Sequence, residues 1–347
     1  MEPLAVVTRK DYIESVHHGI ICIVNASGDI ISQIGDSHTK IFFRSSAKPI
    51  QAIPLIRSGA ADEYRLSGRE IAIACASHSG QEIHQDIVKG FLNKLNLSDT
   101  NLHCGAVTPY NREERKRLMR EGLAPSALHC ACSGKHTGML TLAQYREYDL
   151  ETYEKIENPA QQEILKTVAE FAGLDAADIP TAIDGCGAPV YLLPAYHIAL
   201  SYARLIQYSK DAGSPYHASC KSIYDAMVQY PEMVAGENEF DTELMRALNG
   251  ALIGKSGNEA VYCLGIKEQG LGVCVKIADG SMRALYPVVV QVLKELNLLS
   301  DAARGKLSRW HQTPVYNNSG ERIGAVHPYF SLSGKTYDKN PLGKRLF

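Results

Sequence analysis

Strand-forming runs stand at the two ends of this chain, and helix-forming segments fill the middle. Near the start, Gly19-Ile20-Ile21-Cys22-Ile23-Val24 is a β-branched run closed by Asn25-Ala26-Ser27-Gly28-Asp29. Ile30-Ile31-Ser32-Gln33-Ile34 follows, and the pair reads as a β-hairpin. A third strand ends at Phe43. Near the other end, the runs 260–266 and 271–277 flank Lys267-Glu268-Gln269-Gly270, a second hairpin signal. Between these ends the spacing predicts helices over 81–95, 139–145, 158–172, 190–205 and 222–229, and a closing helix follows over 284–298. Asn158-Pro159 supplies the cap and first-turn residues of one of them. Such a chain is α+β: one antiparallel sheet built from N- and C-terminal strands, with a mostly helical insertion over roughly 80–240. Residues 1–300 form one body, with a cleft where sheet and insertion meet. The polar stretch 301–347 reads as an extended surface tail.

Composition narrows the function. A chain of 347 residues can bury a large core, and 36 Lys and Arg nearly balance 38 Asp and Glu. The most charged stretch, Arg112 to Arg120, alternates in sign like a solvated helix face. Nucleic acid and membrane surfaces are therefore not the expected partners, and small-molecule chemistry is. No run has the length of a membrane span, and Met1 to Lys10 lacks the apolar core of a secretion signal. Nine cysteines, an odd number spread along the chain, point to free thiols in a reducing cytoplasm.

Ser45 and Lys48 carry the first chemical signal. They stand three residues apart where the strand ending at Phe43 turns into a helix, and Pro49 fits only the first helical turn. At that spacing a hydroxyl and an amine share one helix face. The positive end of the helix disfavours an ammonium, and a neutral amine can take the hydroxyl proton. Three further loops hold reactive groups: Ser77-His78-Ser79-Gly80, Cys132 to His136, and Asp184-Gly185-Cys186-Gly187. Lys255-Ser256-Gly257 lies just ahead of the first C-terminal strand, the place of a lysine-hydroxyl-glycine element in penicillin-recognising Ser-Lys enzymes. Spacing alone leaves Cys132 and Cys186 open between small apolar packing residues, metal ligands and a thiol paired with His136.

Taken in order, several segments resemble the rhizobial-type (class 3, asparaginase II) L-asparaginases. They are Arg44-Ser45-Ser46-Ala47-Lys48-Pro49, Ser77-His78-Ser79-Gly80, Cys132-Ser133-Gly134-Lys135-His136-Thr137-Gly138, Asp184-Gly185-Cys186-Gly187-Ala188-Pro189 and Pro231-Glu232-Met233-Val234-Ala235-Gly236. The resemblance implies a serine β-lactamase-like fold, a homodimer, and hydrolysis of L-asparagine to aspartate and ammonia. It implies two Ser-Lys tandems, Ser45 with Lys48 and Ser77 with Lys255, with Ser45 attacking the amide. It further implies zinc held by Cys132, Lys135 and Cys186, and substrate oriented by Arg44, His136 and Asp184. Cys130 and Asn158 depart from the family pattern, and Lys255 to Glu259 match it more loosely. The alternatives are another Ser-Lys amidohydrolase, such as a glutaminase or β-lactam hydrolase, and a non-catalytic zinc-binding protein.

Overall fold

In the computed structural model, which describes residues 1–10 and 12–333, the strands are β1 (Glu2–Arg9), β2 (Tyr12–Asn25), β3 (Ile30–Ile34), β4 (Lys40–Phe42), β5 (Thr181–Ile183), β6 (Pro189–Pro194), β7 (Leu252–Gly257), β8 (Val261–Ile266), β9 (Leu271–Ile277), β10 (Thr313–Tyr316) and β11 (Arg322–Pro328). The main sheet runs β10-β11-β1-β2-β9-β8-β7, with β3 also on β2, and every pairing is antiparallel. The chain's two ends therefore meet in one sheet, and the α+β expectation holds.

β8 is buried along its whole length and β9 nearly so, which requires cover on both faces. The helix Ala195–Lys210 packs on β2, β8 and β9, and the helix Met282–Glu295 packs on β1, β9 and β11. Each Val, Leu or Ile fully buried between these layers contributes about 1.5–3 kcal/mol. Cys22, Cys274 and Cys263 are directly paired across β2, β9 and β8, and Cys263 is paired with Lys255 of β7. Paired residues share a face. The row of thiols is thus small apolar filler that ends beside a buried lysine.

Several expectations are corrected. Lys255-Ser256-Gly257 lies within β7 and not ahead of a strand. The stretch expected as the start of a helix at 190 is β6, which pairs with β4 and β5 in a separate small sheet, and the helix begins at Ala195. The helix expected over 139–145 begins at Ser133, so Lys135 and His136 stand in its first turns. The expected tail after Asp301 is the helix Asp301–His311 followed by β10 and β11, which extend the sheet beyond β1. The remainder of that expectation, 334–347, lies outside the described residues.

Candidate active site

Ser45 and Lys48 occupy a short 3-10 turn, Arg44–Ala47, running into the helix Lys48–Gln51. The turn is anchored on both sides. Phe43 N–H donates to Tyr191 O of β6 (2.9 Å), and Ser46 Oγ donates to Lys255 O of β7 (3.0 Å). Arg44 holds a left-handed backbone, φ 52°, which an L-residue adopts only at a cost of order 1–3 kcal/mol when its surroundings enforce it. Ser45 is half-buried, and its hydroxyl has no hydrogen-bond partner among the described residues.

The Ser77-His78-Ser79-Gly80 loop is fixed by backbone bonds to other segments singled out in the sequence. Ser77 N–H donates to Val234 O (2.9 Å), Ser79 N–H to Ala235 O (2.7 Å), and His78 N–H to Ala131 O (3.2 Å). Gly236 explains why the 231–236 segment ends in glycine. Its φ is 130°, and a Cβ there would lie 2.2 Å from Ser79 Oγ. Gly134 serves close approach instead: a Cβ would meet Ile73 O at 2.3 Å, so only glycine lets the helix Ser133–Tyr145 reach the helix Gly68–Ala74.

This scaffold brings Lys48 to Ser77. The Lys48 amine is 1% exposed and donates to Ala76 O, to Ser77 Oγ (2.9 Å) and to Cys132 Sγ (3.2 Å). An ammonium has three donors, and these contacts use all of them. Of the lysine and serine side chains in the two expected tandems, Lys48 and Ser77 are the pair joined by a hydrogen bond among the described residues. Lys255 is fully buried and donates to its neighbour's carbonyl, Ser256 O (2.7 Å), with Asp241 Oδ2 3.7 Å away. Burial lowers its pKa to about 8, while Asp241 acts to raise it.

Beside Lys48 lies a thiol-amine cluster. Lys135 Nζ donates to Cys186 Sγ (3.1 Å) and Lys48 Nζ to Cys132 Sγ (3.2 Å), while the Cys130 thiol donates to Cys104 O (3.5 Å). The neighbouring Cys130 and Cys186, with Lys48 and Lys135 nearby, hold the Cys132 thiol well below the ordinary range. Its hydrogen bond to Cys132 and burial push Cys186 up. Burial opposes charge on Lys135, yet Cys186 and Cys132 together keep its pKa above the usual lysine value. Among the described residues, no three His, Cys, Asp or Glu side chains could hold a metal ion. The convergent donors are two sulfurs and one amine. Two thiolates and a neutral nitrogen match the donor types zinc accepts.

The residues expected to bind substrate divide into a pair and a single donor. Arg44 Nη2 and Asp184 Oδ1 are 3.1 Å apart, and Arg44 Nε is buried with no partner among the described residues. His136 is fully buried and kept neutral by burial and by Lys135. His103 N–H donates to Tyr153 OH (2.8 Å), so the Tyr153 proton is free to donate to His136 Nδ1 (2.7 Å). In the tautomer that accepts the Tyr153 proton at Nδ1, the ring proton lies on Nε2, a buried nitrogen with no partner among the described residues.

Sequence reasoning missed Asp241 and Tyr153. Asp241 sits in the first turn of the helix Phe240–Leu248, where an acidic residue is ordinary, and Tyr153 lies in a charged turn, Glu151 to Lys155, that reads as a solvated surface. Ser77, Ser79, Tyr110, Asp241, Ser256 and Gly257 line one cavity of about 290 Å³.

No curated protein matches the chain. A solved structure described as "putative beta-lactamase from Bacteroides dorei DSM 17855" is similar at 12% identity, covering 80% of this chain and 93% of that one with a TM-score of 0.41. The sequence model of the family described as L-asparaginase II matches residues 5–328. Ser45, Lys48, Ser77, Cys132 and Lys255 all fall within that span, and the chain belongs to the L-asparaginase II family.

Proposed function

We propose that the protein hydrolyses the side-chain amide of L-asparagine through an acyl-enzyme, releasing ammonia and then aspartate. The observation that carries this reading is the desolvated Lys48 amine, 2.9 Å from Ser77 Oγ and on the same short segment as the unpaired Ser45 hydroxyl. In its neutral form Lys48 takes the hydroxyl proton while Ser45 Oγ bonds to the amide carbon. The C–N bond then breaks, and the proton leaves with ammonia. Water repeats the sequence against the ester and frees Ser45. Ser77 carries the proton between the two, and Lys255 is a second amine serving that hydroxyl. Arg44 suits the substrate α-carboxylate, Asp184 its α-ammonium, and His136 Nε2–H a further acceptor on it.

The Lys48–Ser77 hydrogen bond favours a second reading, in which Ser77 is the nucleophile and Ser45 the carrier. A glutaminase or another Ser-Lys acyl transferase would use the same groups, since one methylene changes pocket binding by only ~1–3 kcal/mol. Ammonia release from L-asparagine, L-glutamine and a β-lactam panel separates these substrates. Fast release from asparagine supports the reading, and none from either amide by folded protein overturns it.

Cys132, Lys135 and Cys186 are the residues that would hold zinc. A bound Zn²⁺ would keep both sulfurs as thiolates and the amine neutral. Metal analysis of the purified protein and of a Cys186→Ser variant checks this assignment. The same reading includes a homodimer in a reducing cytoplasm, the former open to light scattering. Nine unpaired cysteines suit such a compartment, and among the described residues no helix is long and apolar enough to cross a membrane.

A further inference from the structure

Asp241 is the one buried carboxylate at this cavity wall with no role assigned above. It is 2% exposed, and its Oδ2 accepts from Ser256 N–H (3.0 Å) and Ser256 Oγ–H (2.8 Å). The same oxygen stands 3.7 Å from Lys255 Nζ. On the other side of β7, Ser46 Oγ holds Lys255 O, so the strand edge is clamped between Asp241 and the segment that carries Ser45. Asp241 and Ser256 line the cavity together with Ser77.

We propose that Asp241 is a positioning residue of the reaction, holding the Lys255–Ser256 edge in place and setting the charge state of the Lys255 amine. The proposal rests on the reading that Lys255 serves the serine chemistry. The groups facing the Lys255 amine are Asp241, Lys48, Cys132 and Cys75, with Cys263 directly across the strand pair and Tyr262 facing Asp241 itself. Lys48 pushes a proton off Lys255, and Asp241, the one carboxylate among them, acts to keep it on. A carboxylate engaged twice by Ser256 pairs less closely with the amine than a free one would. Ser256 therefore tunes how strongly Asp241 holds the proton.

The test is the pH profile of kcat/KM for ammonia release, measured on wild type, Asp241→Asn, Asp241→Glu, Ser256→Ala and Lys255→Ala. Lys255 works as the neutral amine, so activity rises with pH through its pKa. Removing the charge in Asp241→Asn moves that rising limb toward acid by about one pH unit, a shift of the kind one lost neighbouring charge produces. Asp241→Glu restores the limb to near its wild-type position. Ser256→Ala removes the hydroxyl contact and leaves only the backbone N–H on Asp241 Oδ2, so the carboxylate holds the Lys255 proton more strongly and the limb moves toward alkali, which keeps the test decisive if Asp241→Asn does not fold. An unmoved limb in both Asp241→Asn and Ser256→Ala, with activity merely scaled, overturns the proposal and leaves Asp241 a structural residue. Full activity in Lys255→Ala overturns instead the reading on which the proposal rests.

Discussion

Lys135 and Lys255 are both withdrawn from water, at 4% and 0% exposure, and burial is the largest influence on each amine. Their proton affinities nevertheless move in opposite directions. Lys135 contacts one sulfur at 3.1 Å and lies near a second, readily ionised one, and these overcome its burial. Lys255 has a single carboxylate at 3.7 Å, already occupied by Ser256, and feels the charge of Lys48. Burial sets the scale of the perturbation, and the distance and engagement of the counter-charge set its sign. The Lys135 surroundings stabilise charge, while those of Lys255 favour a neutral amine usable as a base near its pKa of about 8.

The strongest way to break this comparison is to remove the soft base. Lys255→Ala should lower kcat for ammonia release ~10²–10⁴-fold, the usual contribution of a proton-transfer group. A comparable loss from Lys135→Met in metal-free protein would show that the two amines do not differ in role. The second test concerns charge at the thiols. Lys135→Met deprives Cys132 of a neighbouring cation, so its thiol pKa rises and the midpoint of the pH profile of alkylation by iodoacetamide moves toward alkali. An unmoved midpoint would mean that Lys48, Cys130 and Cys186 hold the thiolate without Lys135.

The third test uses stability. Unfolded, Lys255 keeps its proton to the ordinary lysine value of 10.5, and folded only to about 8. Between those pH values the unfolded chain binds more protons, so stability rises with pH, at most ~1.4 kcal/mol per unit from this group. Below about pH 8 both states are protonated and the slope vanishes. Denaturant unfolding of wild type and Lys255→Met across that window should show the rise and its removal. The smallest effect lies away from both lysines. Asn158 caps the helix Pro159–Ala172 by accepting from Ala160 N–H (2.9 Å), and Asn158→Ala should cost ~0.5–2 kcal/mol without moving the pH limb of activity.

The sequence announced the parts of the fold whose residues share one strong local pattern. The hairpins of β2 with β3 and of β8 with β9 are apolar, β-branched runs on either side of obvious turns, and both occur. β10 and β11 escaped notice because they form an exposed edge of the sheet, half-wet and polar, with no apolar run to mark them. β6 was masked by its own apolarity, since Val190-Tyr191-Leu192-Leu193 runs directly into the buried helix that follows. At the site, the serines, lysines and thiols stood in recognisable segments, but Asp241, Tyr153 and the partnerships did not. Lys48 meets Ser77, 29 positions away, because the 231–236 segment and Ala131 pin that loop beside it. Tertiary hydrogen bonds between distant loops made that choice, and local spacing carries no trace of them.

The measurement that tests the account most directly is ammonia release from L-asparagine by folded Ser45→Ala and Ser77→Ala proteins, with intact-mass detection of the acyl adduct. The account predicts that Ser45→Ala loses turnover and forms no adduct, while Ser77→Ala is slowed yet still gains the mass of an aspartyl group. Near-normal turnover and adduct in Ser45→Ala, with both lost in Ser77→Ala, would contradict it and make Ser77 the nucleophile.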